Sequence, residues 1–95
     1  MNNSLHLTIK KKWFDMILSG NKTEEYRDIK PYYNIRLIGR DYDTVVFRNG
    51  YARDAPSLTI ELKAIRFGTG KLEWGAEANK KYFVLYLGKI INSKL

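Results

Sequence analysis

The chain predicts an α+β domain, a small and mostly antiparallel β-barrel of about five strands with one or two short flanking helices. Three observations predict it. Short stretches of alternating apolar and polar residues recur along the chain, as half-buried strands require. One stretch near the start, 11–19, instead carries the 3.6-residue apolar spacing of a helix. Finally, 95 residues leave room for one modest core, so 1–95 reads as a single domain.

Leu5, Leu7 and Ile9 alternate with His6, Thr8 and Lys10, which makes a first strand with one buried face. Trp13, Phe14, Ile17 and Leu18 fill one face of the helix 11–19. Gly20 ends it, because glycine takes the left-handed conformation after a helix without a Cβ penalty. A charged strand follows at 23–29, where Thr23, Glu25 and Arg27 share one face and Glu24, Tyr26 and Asp28 the other. A strand that covers a core normally offers it an apolar face, so acid on both faces predicts a strand bordering a polar cavity. Pro31 suits a helix start or a turn, and 31–39 reads as a short helix or irregular loop carrying Tyr32, Tyr33 and Arg36.

After a turn at 41–43, the strand 44–48 contains Val45-Val46-Phe47, a run that predicts burial on both faces. Asn49-Gly50 is a hairpin signal, which pairs that strand with the next one, 57–67. There Leu58, Ile60, Leu62 and Ala64 alternate with Thr59, Glu61 and Lys63. Gly68 and Gly70 break it, 71–80 reads as loop, and 82–91 is the last strand, with Phe83, Leu85 and Leu87 opposite Tyr82, Val84 and Tyr86.

Seventeen Lys and Arg against ten Asp and Glu give a formal net charge of +7, which draws polyanions by long-range attraction. The plain alternative is a solvated basic surface. The absence of cysteine excludes a disulfide framework, a thiolate nucleophile and any Cys-containing metal site, and is compatible with a reducing cytoplasm. No apolar run approaches the roughly 20 residues of a membrane span, and 1–12 lacks the charged-then-apolar order of a signal peptide, so a soluble cytoplasmic protein is expected. His6 is the sole histidine and sits on an alternating strand, which favours a solvent-facing or packing role and leaves a serine triad or histidine-rich metal site unsupported. Neither metal nor cofactor is expected. Gly68-Thr69-Gly70-Lys71 lacks the spacing and the Ser or Thr of an ATP phosphate loop.

The polar chemistry concentrates after the helix stop. Lys22 reads as lying at the mouth of the charged strand, where apolar walls would weaken its preference for the charged form and suit it to act as a base or as a donor to a carbonyl. Glu25 and Arg27, two apart on one strand face, are placed to pair, which keeps the glutamate an acceptor only. Beside an aromatic ring such a carboxylate accepts from a cytosine amino group, while arginine reads phosphate or guanine edges. The plain alternative is an ion pair on the barrel rim. Tyr26, Tyr32, Tyr33, Tyr42 and Tyr51 are interleaved with Arg27, Lys30, Arg36, Arg40, Arg48 and Arg53, the mixture that single-stranded RNA recognition uses. Candidate ligand contacts are therefore Lys22, Glu25, Arg27, Tyr26, Tyr33, Arg48 and Tyr51, with Trp74 as a lid or a cap on the barrel end. Trp13 reads as core.

The spacing Gly-x-Lys-x-x-Glu-x-Arg, here Gly20, Lys22, Glu25 and Arg27, resembles the signature of the ASCH domain, a branch of the PUA-like superfamily. The opening LTIKKKWFDMILSG, the segment DTVVFRNGY and the ending YFVLYLGKII are similar to that family's pattern, so the likeness covers nearly the whole chain. It implies a PUA-like barrel with a cleft where Lys22, Glu25 and Arg27 meet to bind RNA or a nucleoside-type ligand. It also implies an alternative, because some small bacterial members look like amidohydrolases of N4-acylated cytidine or like ribonucleases, in which case Lys22 and Glu25 are the catalytic candidates. The amidohydrolase branch resembles this chain at Lys22 but has threonine where Glu25 stands and a further glutamate on a later strand. Glu61 or Glu73 would supply that acid. A third reading is an adaptor domain whose basic surface docks an acidic protein.

Overall fold

Residues 3–95 are described by a computed structural model. The first alternation becomes β1, Ser4–Thr8, with Leu5 and Leu7 buried and His6 exposed. Helix α1, Lys11–Leu18, buries Phe14 and Ile17, and Gly20 follows it at φ +85°, the left-handed stop that glycine permits. β2 is Glu24–Asp28. The Tyr32-Tyr33 segment resolves as a helix, α2, Pro31–Leu37, with proline in the first turn, where a missing N–H costs nothing. β3 is Thr44–Arg48, β4 is Ser57–Thr69, a 3₁₀ turn spans Leu72–Trp74, and β5 is Lys81–Lys94.

The five strands form one mixed sheet in the order β1-β3-β4-β5-β2, curled into a half-barrel. Three of its pairings are antiparallel, as predicted for a mostly antiparallel sheet, but β1 and β3 run parallel. Parallel neighbours need a long crossover, and α1, β2 and α2 together supply it. Phe14 and Ile17 of α1 pack into the concave face against Val45, Phe47, Leu58 and Leu85. Register shifts between Thr59 and Ala64 bend β4, so that its start pairs with β3 while its whole length follows β5.

Several local expectations change. Burial on β3 alternates, with Val45 and Phe47 buried and Val46 half-exposed, so the apolar run covers one face only. The strand buried on both faces is β5, where Tyr82, Phe83, Val84 and Leu85 are all buried, because the chain after β4 folds over its outer face. The Tyr82 hydroxyl accepts from the Glu77 N–H at 2.9 Å, and its ring stands 5.7 Å from that of Tyr26. Both long strands outrun the sequence pattern, to Thr69 and to Lys94. β3 and β4 do pair, but not through a tight turn at Asn49-Gly50. The connection runs from 49 to 56 and is closed by the Asn49 N–H donating to the Pro56 carbonyl. No helix among the described residues is long and apolar enough to cross a membrane.

Candidate functional site

The end strands of the sheet, β1 and β2, do not pair with each other. A side chain spans the gap instead: Arg27 Nη2 on β2 donates to the Thr8 carbonyl at the end of β1, at 3.0 Å. The charged motif sits at this seam.

Past the Gly20 stop, the Lys22 N–H donates back to the Met16 carbonyl, which turns the lysine side chain inward. Read from the sequence as lying at a cleft mouth, Lys22 is in fact 1% exposed. Its Nζ donates to the Glu24 carbonyl at 2.6 Å and the Trp74 carbonyl at 3.0 Å, and stands 3.2 Å from Glu25 Oε1. Two of the three ammonium N–H donors thus have main-chain acceptors, and the charge faces the Glu25 carboxylate. The rings of Tyr26 and Trp13 lie 4.9 and 5.3 Å from Nζ. Burial pushes its pKa below the usual lysine value, and Glu25 offsets only part of that. The residue is buried because the turn after β4 closes over it, a contact no local pattern announces.

Glu25, also buried, holds the other side of the group. Its Oε2 accepts from Arg27 Nε at 3.1 Å and from Nη2 at 2.6 Å, so one carboxylate lies between two cations. Arg27 Nη1 donates to the Tyr33 hydroxyl at 3.1 Å. Burial works against the guanidinium charge, but Glu25 and Tyr33 outweigh it and hold its pKa above the ordinary arginine value. These bonds use four of the five N–H donors of Arg27 and leave one on Nη1. The Tyr33 hydroxyl, having accepted, keeps its own proton for a further acceptor.

In front of this pair lies a recess of about 450 Å³. Glu25 and Arg27 line its buried side, Trp13, Tyr26 and Tyr33 supply aromatic rings, and the exposed Lys10, Lys30 and Asp28 stand at its edge. A second recess of about 350 Å³ adjoins it, sharing Thr8, Ile9 and Lys10 and ending at Tyr51, which is 90% exposed.

The structure thus brings together Glu25, Arg27 and Tyr33, with Lys22 behind them and Tyr51 at the far end. Tyr26 borders the recess, but its hydroxyl is committed elsewhere, donating to Glu24 Oε1 at 2.8 Å and accepting from the Lys71 N–H at 3.0 Å; burial raises its pKa. Trp74 contributes its carbonyl to Lys22, while its ring lies under Lys71 Nζ at 4.3 Å, outside the recess. Arg48 is not part of the group. It sits with His6 and Arg53 in a separate recess of about 420 Å³ and donates to the Ala52 carbonyl at 2.7 Å, because Thr44, Val46 and Arg48 point away from the buried face of β3. Of the two later acids, Glu61 accepts from the Lys89 N–H at 3.3 Å and Glu73 belongs to the 3₁₀ turn, and neither lines the recess.

Sequence reasoning left Lys10 out of this neighbourhood and counted Lys30 only among the interleaved cations, while Trp13, read as core, does pack partly against the core and also lines the recess. Lys30 carried a signal, since it stands directly before the helix-starting Pro31 and three residues before Tyr33. Trp13 carried none, because its exposure depends on the turn that packs on its other side: a Cβ on Gly75 would lie 2.9 Å from its ring. Comparison with protein-family models, with curated proteins and with solved structures finds no match for this chain.

Proposed function

We propose that this chain is an ASCH-type domain of PUA-like architecture whose recess binds a base of single-stranded RNA or a nucleoside-type ligand. One observation carries the proposal: an open recess of about 450 Å³ in which Trp13 and Tyr33 flank the Glu25–Arg27 pair, with the exposed Lys10 and Lys30 at its rim. Small-molecule sites commonly occupy roughly 300–1,000 Å³, with mostly apolar or aromatic walls and few polar groups. A base stacks on the aromatic walls, the unused lone pair of Glu25 Oε1 accepts from an exocyclic amino group, and the spare Nη1 hydrogen of Arg27 donates to a carbonyl. Lys10 and Lys30 take the phosphates of a strand.

The arrangement favours binding over turnover. A base or nucleophile at Lys22 needs a free nitrogen lone pair facing substrate, and here Nζ faces two main-chain carbonyls and Glu25. The test is an NMR titration with cytidine, N4-acetylcytidine and a short single-stranded RNA. Expected are shifts at Lys10, Trp13, Lys30 and Tyr33, and a loss of about 1–3 kcal/mol in Tyr33→Ala if a base stacks there. A titration that leaves those signals unmoved by all three ligands overturns the reading, and deacylation of N4-acetylcytidine that disappears in Lys22→Ala replaces it with the hydrolase.

A further inference from the structure

β4 continues beyond the strand that pairs with its start. All of β3 is used by residues 57–61, and the Leu62 N–H then donates to the Asp43 carbonyl. From 63 to 69 β4 pairs with β5 alone, and among the described residues no hydrogen bond from another segment reaches that stretch of backbone on its other side. In an antiparallel ladder every second residue turns both its N–H and its C=O away from its partner, so this is a free sheet edge inside the fold's own longest hairpin. A groove of about 340 Å³ runs along it, between β4 and the segment 37–42. Ile38 and Phe67 stand in that groove 55% and 60% exposed, beside Ile65 and the buried Phe83. Its charged lining is Arg40, Lys63 and Arg66 against Asp41, and neither Lys63 nor Arg66 makes an ion pair among the described residues.

We propose that this edge is a docking site for an extended peptide that alternates apolar and acidic residues, added as a further strand beside β4. The free N–H and C=O groups call for an extended backbone, which a peptide supplies and a nucleic acid does not. Alternate side chains of such a strand fall on one face, where the apolar groove receives them, while the others meet the cationic rim. A second copy of the chain is disfavoured, since it brings a charge of +7 and the same lysine and arginine to the same edge. The groove shares no lining residue with the Lys10–Tyr33 recess, so this inference stands apart from the nucleic-acid reading.

The test uses capped octapeptides alternating valine and glutamate, with two controls: the valine–lysine analogue and a valine–glutamate peptide N-methylated at alternate amides. With the first peptide, amide NMR shifts are expected at 38–42 and 63–69, and hydrogen exchange at Ile65 or Phe67 slows by about tenfold or more as the edge is paired. The double variant Lys63→Glu/Arg66→Glu, with its spectrum otherwise unchanged, weakens binding by about tenfold or more. The proposal is overturned if the acidic peptide moves none of these amides at millimolar concentration, or if either control binds as well. It also fails if a short RNA moves the same amides, or if sedimentation shows the free chain already dimeric with this edge protected.

Discussion

Glu25 stands 3.2 Å from Lys22 and 2.6 Å from Arg27, and the group as a whole adds little net stability because the cost of desolvating its charges offsets their attraction. Breaking such a group strands the partners. Glu25→Gln leaves two largely buried cations without their carboxylate and is expected to cost about 3–5 kcal/mol in urea unfolding. Lys22→Met leaves Glu25 paired with Arg27 and removes a donor from two carbonyls, so a smaller loss of about 1–3 kcal/mol is expected. The lysine also gives a pH signature. Its folded-state pKa lies below the ordinary 10.5, so between that lowered value and 10.5 the unfolded chain binds more protons than the folded one. Lys22 therefore makes stability rise with pH through that window, and the gain is absent from Lys22→Met. Urea midpoints of both proteins across a pH series test this, and a wild type that loses ground to the Met variant as pH approaches 10.5 contradicts it.

At the scale of elements, the segment 70–76 covers Lys22 behind β2. It is held by the Tyr26 hydroxyl on the Lys71 N–H and by Lys22 on the Trp74 carbonyl, and it approaches closely enough that only glycine fits at two points. A Cβ on Gly70 would lie 2.6 Å from Cζ of Tyr26 and 2.7 Å from the Ala76 Cβ, neither of which is the end of a flexible chain. Gly70→Ala is accordingly expected to destabilise by about 1–3 kcal/mol, the usual range for overpacking. Lifting the turn also exposes Trp13 and Trp74, so the variant's native emission shifts to the red. An unchanged emission maximum together with unchanged stability argues that the turn is not a fixed clamp.

For the molecule as a whole, the formal charge of +7 makes salt the test of the proposed nucleic-acid reading. If the recess takes one base of a strand, affinity for a short single-stranded RNA falls with salt, by about 0.7 in the log-log slope per phosphate neutralised. Lys10→Ala and Lys30→Ala should each flatten the slope by about that amount, whereas the affinity of free cytidine stays nearly independent of salt. A slope near zero for RNA, measured by fluorescence anisotropy, removes the phosphate role of both lysines.

Much of the fold was legible because its signals are local. Leu5-x-Leu7-x-Ile9, the helical spacing of Phe14 and Ile17 and the Gly20 stop each depend on a few consecutive residues, and the elements appear where those patterns end. The alternation in β2 likewise put Glu25 and Arg27 on one face, where they pair. Strand order, the parallel β1–β3 contact and the free edge of β4 had no such signal, since pairing between distant segments follows from closure of the sheet around its core. Arg48 was drawn toward the site by composition and sent to another recess by the pleat of β3. By itself the sequence determined where the five strands and the first helix lie, though not all their ends, and the charge pair within β2, which are short-range consequences of period and chirality. Only tertiary structure decided that Lys22 is interior, because its burial depends on the Trp74 carbonyl, supplied from 52 residues further along the chain.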